Sequence, residues 1–177
     1  MTAPIALRRA GSGDWPAVAA IHSASWQSAY RGIYPDSHLD EEVPEERRIF
    51  WREALAEMDP EVDALFLAEE ADTAIGFACI RREAEPAGPL LDNLHVLPER
   101  KGQGIGRRLI AAAARWLVAR EPEAALQLVV WADNRPARAF YARMGGREVE
   151  EFAAPTPGGG TANQIRVRWE RAAELAA

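Results

Sequence analysis

Residues 91–117 read L-D-N-L-H-V-L-P-E-R-K-G-Q-G-I-G-R-R-L-I-A-A-A-A-R-W-L, and the fold turns on how this stretch is built. Leu91, Leu94, Val96 and Leu97 make a short apolar strand that Pro98 stops. Three alternating glycines follow, Gly102, Gly104 and Gly106. After them Ile105, Leu109, Ala113 and Trp116 recur on one face of an Ala-rich helix, with Arg107, Arg108 and Arg115 mostly elsewhere. A strand, a glycine loop and a helix in that order create an anion site. The first amides of a helix have no partner inside it, and the helix dipole adds roughly half a positive charge there. Glycines let a ligand come close to the backbone and permit positive φ. The stretch is therefore expected to hold phosphate or pyrophosphate.

Two common phosphate motifs do not fit. In the dinucleotide pattern G-x-G-x-x-G counted from Gly102, the third glycine falls on Arg107, and no G-x-x-x-x-G-K-S/T run occurs. The segment K-G-Q-G-I-G, Lys101 to Gly106, instead resembles the acetyl-CoA loop of the GNAT family of N-acetyltransferases, usually Gln/Arg-x-x-Gly-x-Gly/Ala. Lys101 stands where the family has Gln or Arg. The strand L-H-V-L-P-E leading into the loop, Leu94 to Glu99, matches as well. A second segment, A-D-N-R-P-A-R-A-F-Y-A-R-M-G-G from Ala132 to Gly146, is similar to the family's N-x-x-A-x-x-F-Y-x-x-x-G-F, with Gly146 where an aromatic is common. An N-terminal S-W-x-x-A-Y-R-G, Ser25 to Gly32, is seen in many members that act on small substrates.

The rest of the chain agrees. Its 177 residues suit a single domain over residues 1–177 with a sizeable core. A net charge of −6 argues against broad nucleic-acid or anionic-membrane binding, although Arg100, Lys101, Arg107 and Arg108 make a local basic spot. No apolar run is long enough to span a bilayer and no leader pattern opens the sequence, so a cytoplasmic protein is expected. The single cysteine, Cys79, excludes an internal disulfide and a cysteine-based metal site, and no metal is expected.

Periodicity predicts strands near 5–9, 64–69, 74–82, 91–97, 126–131, 148–153 and 163–170, and helices near 15–29, 44–58, 105–117 and 134–144. The stretches Pro86–Pro89 and Pro155–Gly160 read as loops. This order is that of the acyl-CoA N-acyltransferase fold: α/β (α+β), with a central mixed, mostly antiparallel sheet of about seven strands and four flanking helices.

The resemblance implies acetyl transfer from acetyl-CoA to a primary amine of a small molecule or peptide, by direct attack in a ternary complex. The alternatives are a non-catalytic CoA-binding module of the same fold, or a transferase that uses another acyl-CoA. The pantetheine arm would lie along the strand at Leu94, His95 and Val96. The pyrophosphate would sit at Lys101, Gly102, Gln103, Gly104, Ile105, Gly106 and Arg107, with Asn134 also near the cofactor. Tyr141 is the candidate general acid and Asp92 the candidate base, on the same strand face as Leu94 and Val96. His95 is the next base candidate, though packing on the opposite face suits it better; His22, on the first helix near Trp26, either lines the acceptor pocket or, the reading preferred here, is a helix-surface residue. Cys79 lies in an apolar strand, where a thiol is usually inert. Trp26, Tyr30 and Tyr34 are candidates for an aromatic acceptor wall. Acceptor choice is assigned to residues 26–39 and the Pro155–Gly160 loop, and strand edges are compatible with a homodimer.

Overall fold

A seven-stranded sheet in the order β1-β2-β3-β4-β5-β7-β6 organises the chain in the computed structural model, which describes residues 4–84, 88–157 and 159–177. The strands are β1 (Ile5–Arg9), β2 (Asp63–Glu70), β3 (Thr73–Arg81), β4 (Leu90–Val96), β5 (Leu126–Trp131), β6 (Arg147–Pro155) and β7 (Thr161–Trp169). The helices are α1 (Trp15–Ala29), α2 (Val43–Glu57), α3 (Ile105–Val118) and α4 (Arg135–Arg143). The expected mixed sheet with four helices is thus the observed one. Pro86 and Ala87 of the expected loop before β4 lie outside the described residues, as does Gly158. One element was not anticipated: a wide π turn over His38–Glu42 that leads into α2.

Every strand pairing is antiparallel except that between β4 and β5, which is parallel. That pairing is also the weakest, because Leu90 opposite Gln127 is its sole register pair among the described residues. Beyond it the two strands part, and the sheet opens into a groove between them.

The two faces of the sheet carry separate cores. On one, the apolar stripe of α3 packs against inward residues of β2, β3, β5 and β7, including Phe66, Ile80, Leu128 and Trp169, with α4 beside it. On the other, α1 and α2 bury Leu65, Leu67, Phe77 and Cys79 beneath Ile21, Trp51 and Leu55. A near-continuous apolar run such as L-Q-L-V-V-W in β5 is what a strand covered on both faces requires. Strand β6 is the opposite case. It is an edge, exposed for most of its length, and it is rich in glutamate.

Gly146 explains a departure noted in the second motif. A Cβ at this position would lie 2.6 Å from Val167 and 2.7 Å from the indole of Trp169, so only glycine fits. Trp169 on β7 fills the space that an aromatic at 146 would take, and it donates its Nε1–H to the Met144 carbonyl at 2.9 Å. Gly145 at φ +83° ends α4, with the Gly145 and Gly146 amides closing onto the Ala142 and Tyr141 carbonyls.

Candidate active site

The groove between β4 and β5 has a volume of about 960 Å³ and runs from the front of α3 to the aromatic end of α1. Its two ends are made differently.

At the α3 end the backbone does the work. Gly102 and Gly104 both take left-handed conformations (φ +78° and +76°), and Gly104 occupies the N-cap position with no side chain to cap the helix. The amides of residues 102 to 107 make no hydrogen bond to any described residue; the first bonded amide of the helix is Arg108, to the Gly104 carbonyl at 3.2 Å. Such a run of open N–H groups at a helix front is an anion cradle. Gly106 is already inside the helix, and a Cβ there would only touch Phe140 of α4 at 3.4 Å. The cluster of four basic residues is thinner than the sequence suggested. Arg100 is held by Glu70 at 2.6 Å, and Arg108 turns to the Ile5 carbonyl at 2.8 Å. Lys101 and Arg107 remain beside the cradle, while the Gln103 side chain turns away to accept from Arg100 at 3.2 Å and does not line the groove.

Along the groove wall the register of β4 decides which backbone groups are free. The Leu97 amide donates to the Ile75 carbonyl. In an antiparallel pair bonded and non-bonded positions alternate, so His95 is bonded to Phe77, whereas Leu94 and Val96 turn their N–H and C=O groups to the groove. The expectation that all three backbones face the cofactor is therefore corrected for His95. Its main chain is used by β3, and only its side chain reaches the cavity.

A bulge in β4 corrects a second expectation. Cys79 pairs with Asn93 and Ile80 with Leu91, which leaves Asp92 without a partner. The extra residue breaks the alternation, so Asp92 does not share a face with Leu94 and Val96. Its carboxyl sits on the side of Asp63, Arg81 and Cys79, lines the groove and accepts from Asn93 at 3.1 Å. It keeps solvent access, yet the surrounding protein desolvates it and raises its pKa. Arg81 opposes that shift and Asp63 adds to it.

Tyr141 and Asn134 project from α4 into the groove. Burial raises the Tyr141 phenol above its ordinary value, so it stays protonated and able to donate. Asn134 Oδ1 caps α4 by accepting the Ala137 amide at 3.3 Å.

At the other end side chains converge. His22, expected on the helix surface, is 2% exposed and lines the groove. It accepts the Trp51 Nε1–H at 2.8 Å on Nδ1 and stacks on His95 with ring centroids 4.3 Å apart. His95 Nδ1 in turn meets Ser25 Oγ at 2.9 Å. Burial lowers both imidazole pKa values. His95 is pushed down to about 3 with help from the charges of Lys101 and Arg47, and His22 is lowered by burial, then by His95 and Arg47. Neither ring is a ready base. Trp26 and Tyr30 form the aromatic wall, 5.4 Å apart, with the Arg47 guanidinium on the outer face of Trp26 at 4.6 Å.

Tyr34 belongs behind this wall rather than in it. It is 4% exposed, packed on Leu39, Val43 and Trp131, and absent from the groove lining because Tyr30 and Trp26 stand in front. Nor does any described residue of the Pro155–Gly160 turn line the groove; Thr156 closes that turn on Gly159 and Gly160. Cys79 is buried and its thiol pKa is raised by that burial, as an inert thiol requires. The sequence reading missed Ser25, Trp131 and Arg47, whose roles depend on elements distant in the chain.

A model of the acetyltransferase (GNAT) family matches residues 15–146. The chain belongs to the GNAT family. Among curated relatives of this GNAT protein is the uncharacterized N-acetyltransferase YuaI of Bacillus subtilis, 28% identical over 152 residues that cover 83% of each chain. The PaiA N-acetyltransferase of Thermoplasma acidophilum, crystallised with coenzyme A, superposes with a TM-score of 0.74 at 18% identity, covering 94% of this chain and 99% of its own. YncA of Salmonella typhimurium, a putative acetyltransferase solved with acetyl-CoA, gives 0.67 at 14% identity and 94% of both chains. At these identities the two structures speak for the fold alone. No described helix is long and apolar enough to cross a membrane.

Proposed function

We propose that this GNAT protein transfers the acetyl group of acetyl-CoA directly to a primary amine held beside β4. One observation carries the reading: a run of open amides, residues 102–107, stands at the head of a groove lined by Gly102, Gly104, Ile105, Gly106 and Arg107, whose far wall offers the unpaired backbone of Leu94 and Val96. A diphosphate fits the first feature, and an extended amide-bearing arm fits the second, as an added strand. Acetyl-CoA carries both groups and supplies an activated acetyl thioester.

The residues divide the remaining work. The Val96 amide is placed to polarise an oxygen in the groove. Tyr141 holds a proton on its phenolic oxygen and delivers it to the departing sulfur. Asp92, in its bulge, takes the proton that the ammonium group of the acceptor must lose before attack, directly or through one water. Trp26 and Tyr30 enclose the acceptor's apolar part. Asn134 borders the cofactor side. We also infer one acetyltransferase domain in a cytoplasmic setting, with β6 the open edge on which a homodimer would form.

The test is a free-thiol release assay with acetyl-CoA over a panel of amines, run beside calorimetric titration of CoA. Thiol release with at least one amine, slowed about 10²-fold in Tyr141→Phe with unchanged CoA affinity, supports the reading. CoA binding without release for any amine would show a binding module instead, and no CoA binding would overturn the assignment altogether.

A further inference from the structure

The stacked histidines at the acceptor end are not explained by acetyl transfer to an amine in general. His22 and His95 are buried or nearly so and neutral, yet both line the groove and neither has its hydrogen-bonding capacity filled. The proton positions follow from their partners. An indole N–H only donates, so His22 Nδ1 must carry the lone pair that accepts from Trp51, and its proton sits on Nε2. That Nε2 is buried and has no partner among the described residues. Stacking does not supply one, since an N–H lies in the plane of its ring and His95 lies above that plane.

The same reasoning applies to His95. Ser25 is 5% exposed, and His95 is its sole hydrogen-bond partner among the described residues. If the hydroxyl accepted from Nδ1–H, its own proton would be left unpaired in a buried site. Donation by the hydroxyl to Nδ1 avoids this, and it puts the His95 proton on Nε2 as well. Nε2 of His95 makes no hydrogen bond to a described residue.

Of the two imidazole N–H donors, that of His22 is closed off inside the protein, and that of His95, on a ring lining the groove, awaits an oxygen from outside it. The local charge selects its sign. Arg47 sits on Trp26 with its Nε buried and unpartnered, and its nearest carboxylate, that of the exposed Glu46, is 4.0 Å away. Lys101 adds positive charge from the other side. Both charges are felt at His95. Asp92 is the acidic side chain of β4, three residues earlier, and it belongs with the reacting ammonium.

We infer that the acceptor is an amine that also bears a carboxylate, its ammonium group beside Asp92 and its carboxylate on the Nε2–H of His95, against which His22 stacks, under the positive field of Arg47. This rests on the acetyltransferase reading above and narrows it to amino-acid-like acceptors. Simple cationic amines lack the group that this donor addresses, and they cover the His95 N–H without pairing it, which costs them affinity.

The test uses matched probes: L-phenylalanine against 2-phenylethylamine, L-tryptophan against tryptamine, and L-lysine against cadaverine. Nitrogen-15 NMR of the intact protein with CoA should show both rings protonated on Nε2. Adding the carboxylate member of a pair should shift the His95 Nε2 resonance, while adding its decarboxylated partner should not. In the thiol-release assay kcat/KM should favour the carboxylate member by at least about 10-fold. His22→Phe keeps an aromatic ring but strands the buried Trp51 N–H and so perturbs the fold as well as the site, which makes Ser25→Ala the decisive variant. It should mix the His95 tautomers and shrink the carboxylate preference severalfold without loss of CoA affinity. A proton on Nδ1 of either ring, faster turnover of the decarboxylated probes, or imidazole resonances unmoved by every carboxylate probe would overturn the inference. The NMR titration needs no turnover, so it decides this point even where thiol release fails and the acetyltransferase reading falls with it.

Discussion

The two ends of the groove contrast in what they are made of. The α3 end is built from main chain: open amides, two left-handed glycines and the field of a helix, all within residues 101–107. The acceptor end is built from side chains brought together from α1, α2, β3 and β4, where His22, Trp51, Phe77 and His95 pack ring against ring. A main-chain site tolerates changes of side chain and is sensitive to changes of φ. A side-chain site is the reverse. One half of such a protein can therefore keep a common cofactor while the other half is free to change its acceptor.

The sharpest way to separate the ends is at Asp92. Asp92→Asn should lower kcat/KM by about 10²-fold while leaving the affinity for CoA unchanged. Thermal unfolding gives an independent check. The folded protein raises the Asp92 pKa above its ordinary 3.8, so the native state prefers the protonated carboxyl. Stability contributed by that group is present below pH 3.8 and is lost as pH rises through the raised value. The neutral amide should thus melt no lower than wild type at pH 7. A lower melting temperature with lost CoA binding would mean that the carboxylate serves the fold instead.

Gly104→Val attacks the other end. A β-branched residue at φ +76° is strained by about 1–3 kcal/mol and can relax only by moving the amides that follow. Nothing lies within 4 Å of a Cβ built at this position, so the cost falls on backbone conformation and ligand approach rather than on packing. CoA affinity should fall about 10- to 100-fold by calorimetry. Unchanged affinity would break the comparison.

The contrast also explains how much the sequence revealed. The glycine spacing after a β-strand exposed the phosphate end because the whole feature lies within one short segment. The seven strands and the four helices followed from apolar periodicity, and the mixed sheet from motifs that resemble a known family's. The acceptor end was largely hidden. Nothing local marks Asp92 as a bulge, since that depends on register against β3, and the missing pair shows only when Cys79 and Ile80 are aligned across from it. His22 read as a surface residue because its burial comes from Trp51, 29 residues away. Tyr34 looked like wall for the converse reason: its aromatic neighbours are adjacent in sequence, but Trp131 from β5 packs over it.

The histidine pair gives the next effect in size. Burial holds both rings neutral in the fold, whereas the unfolded chain takes up protons below about pH 6.5. The unfolded state then binds more protons than the native one, so stability falls as pH drops below about 6.5, and His95 contributes up to about 1.4 kcal/mol per pH unit down to about 3. His95→Phe keeps the stack on His22 and Phe77 but removes one titrating group. Its melting temperature should decline less steeply than that of wild type between pH 6.5 and 5. Parallel curves would show that the rings are protonated in the fold.

The smallest predicted effect tests the contrast most directly. Lys101 and Arg107 are exposed cations beside the amide cradle, and a site made of side chains would depend on them. A main-chain site should not. Long exposed side chains lose freedom on meeting a phosphate, and their attraction is screened by salt, which leaves roughly 0.2–1 kcal/mol each. Lys101→Ala should therefore weaken CoA binding only about 2- to 5-fold, and the difference from wild type should shrink in 0.5 M salt as the Debye length falls to about 4 Å. A loss as large as that of Gly104→Val, persisting at high salt, would show that the lysine grips the diphosphate itself. The open amides would then be a consequence of the loop's shape rather than the reason CoA binds.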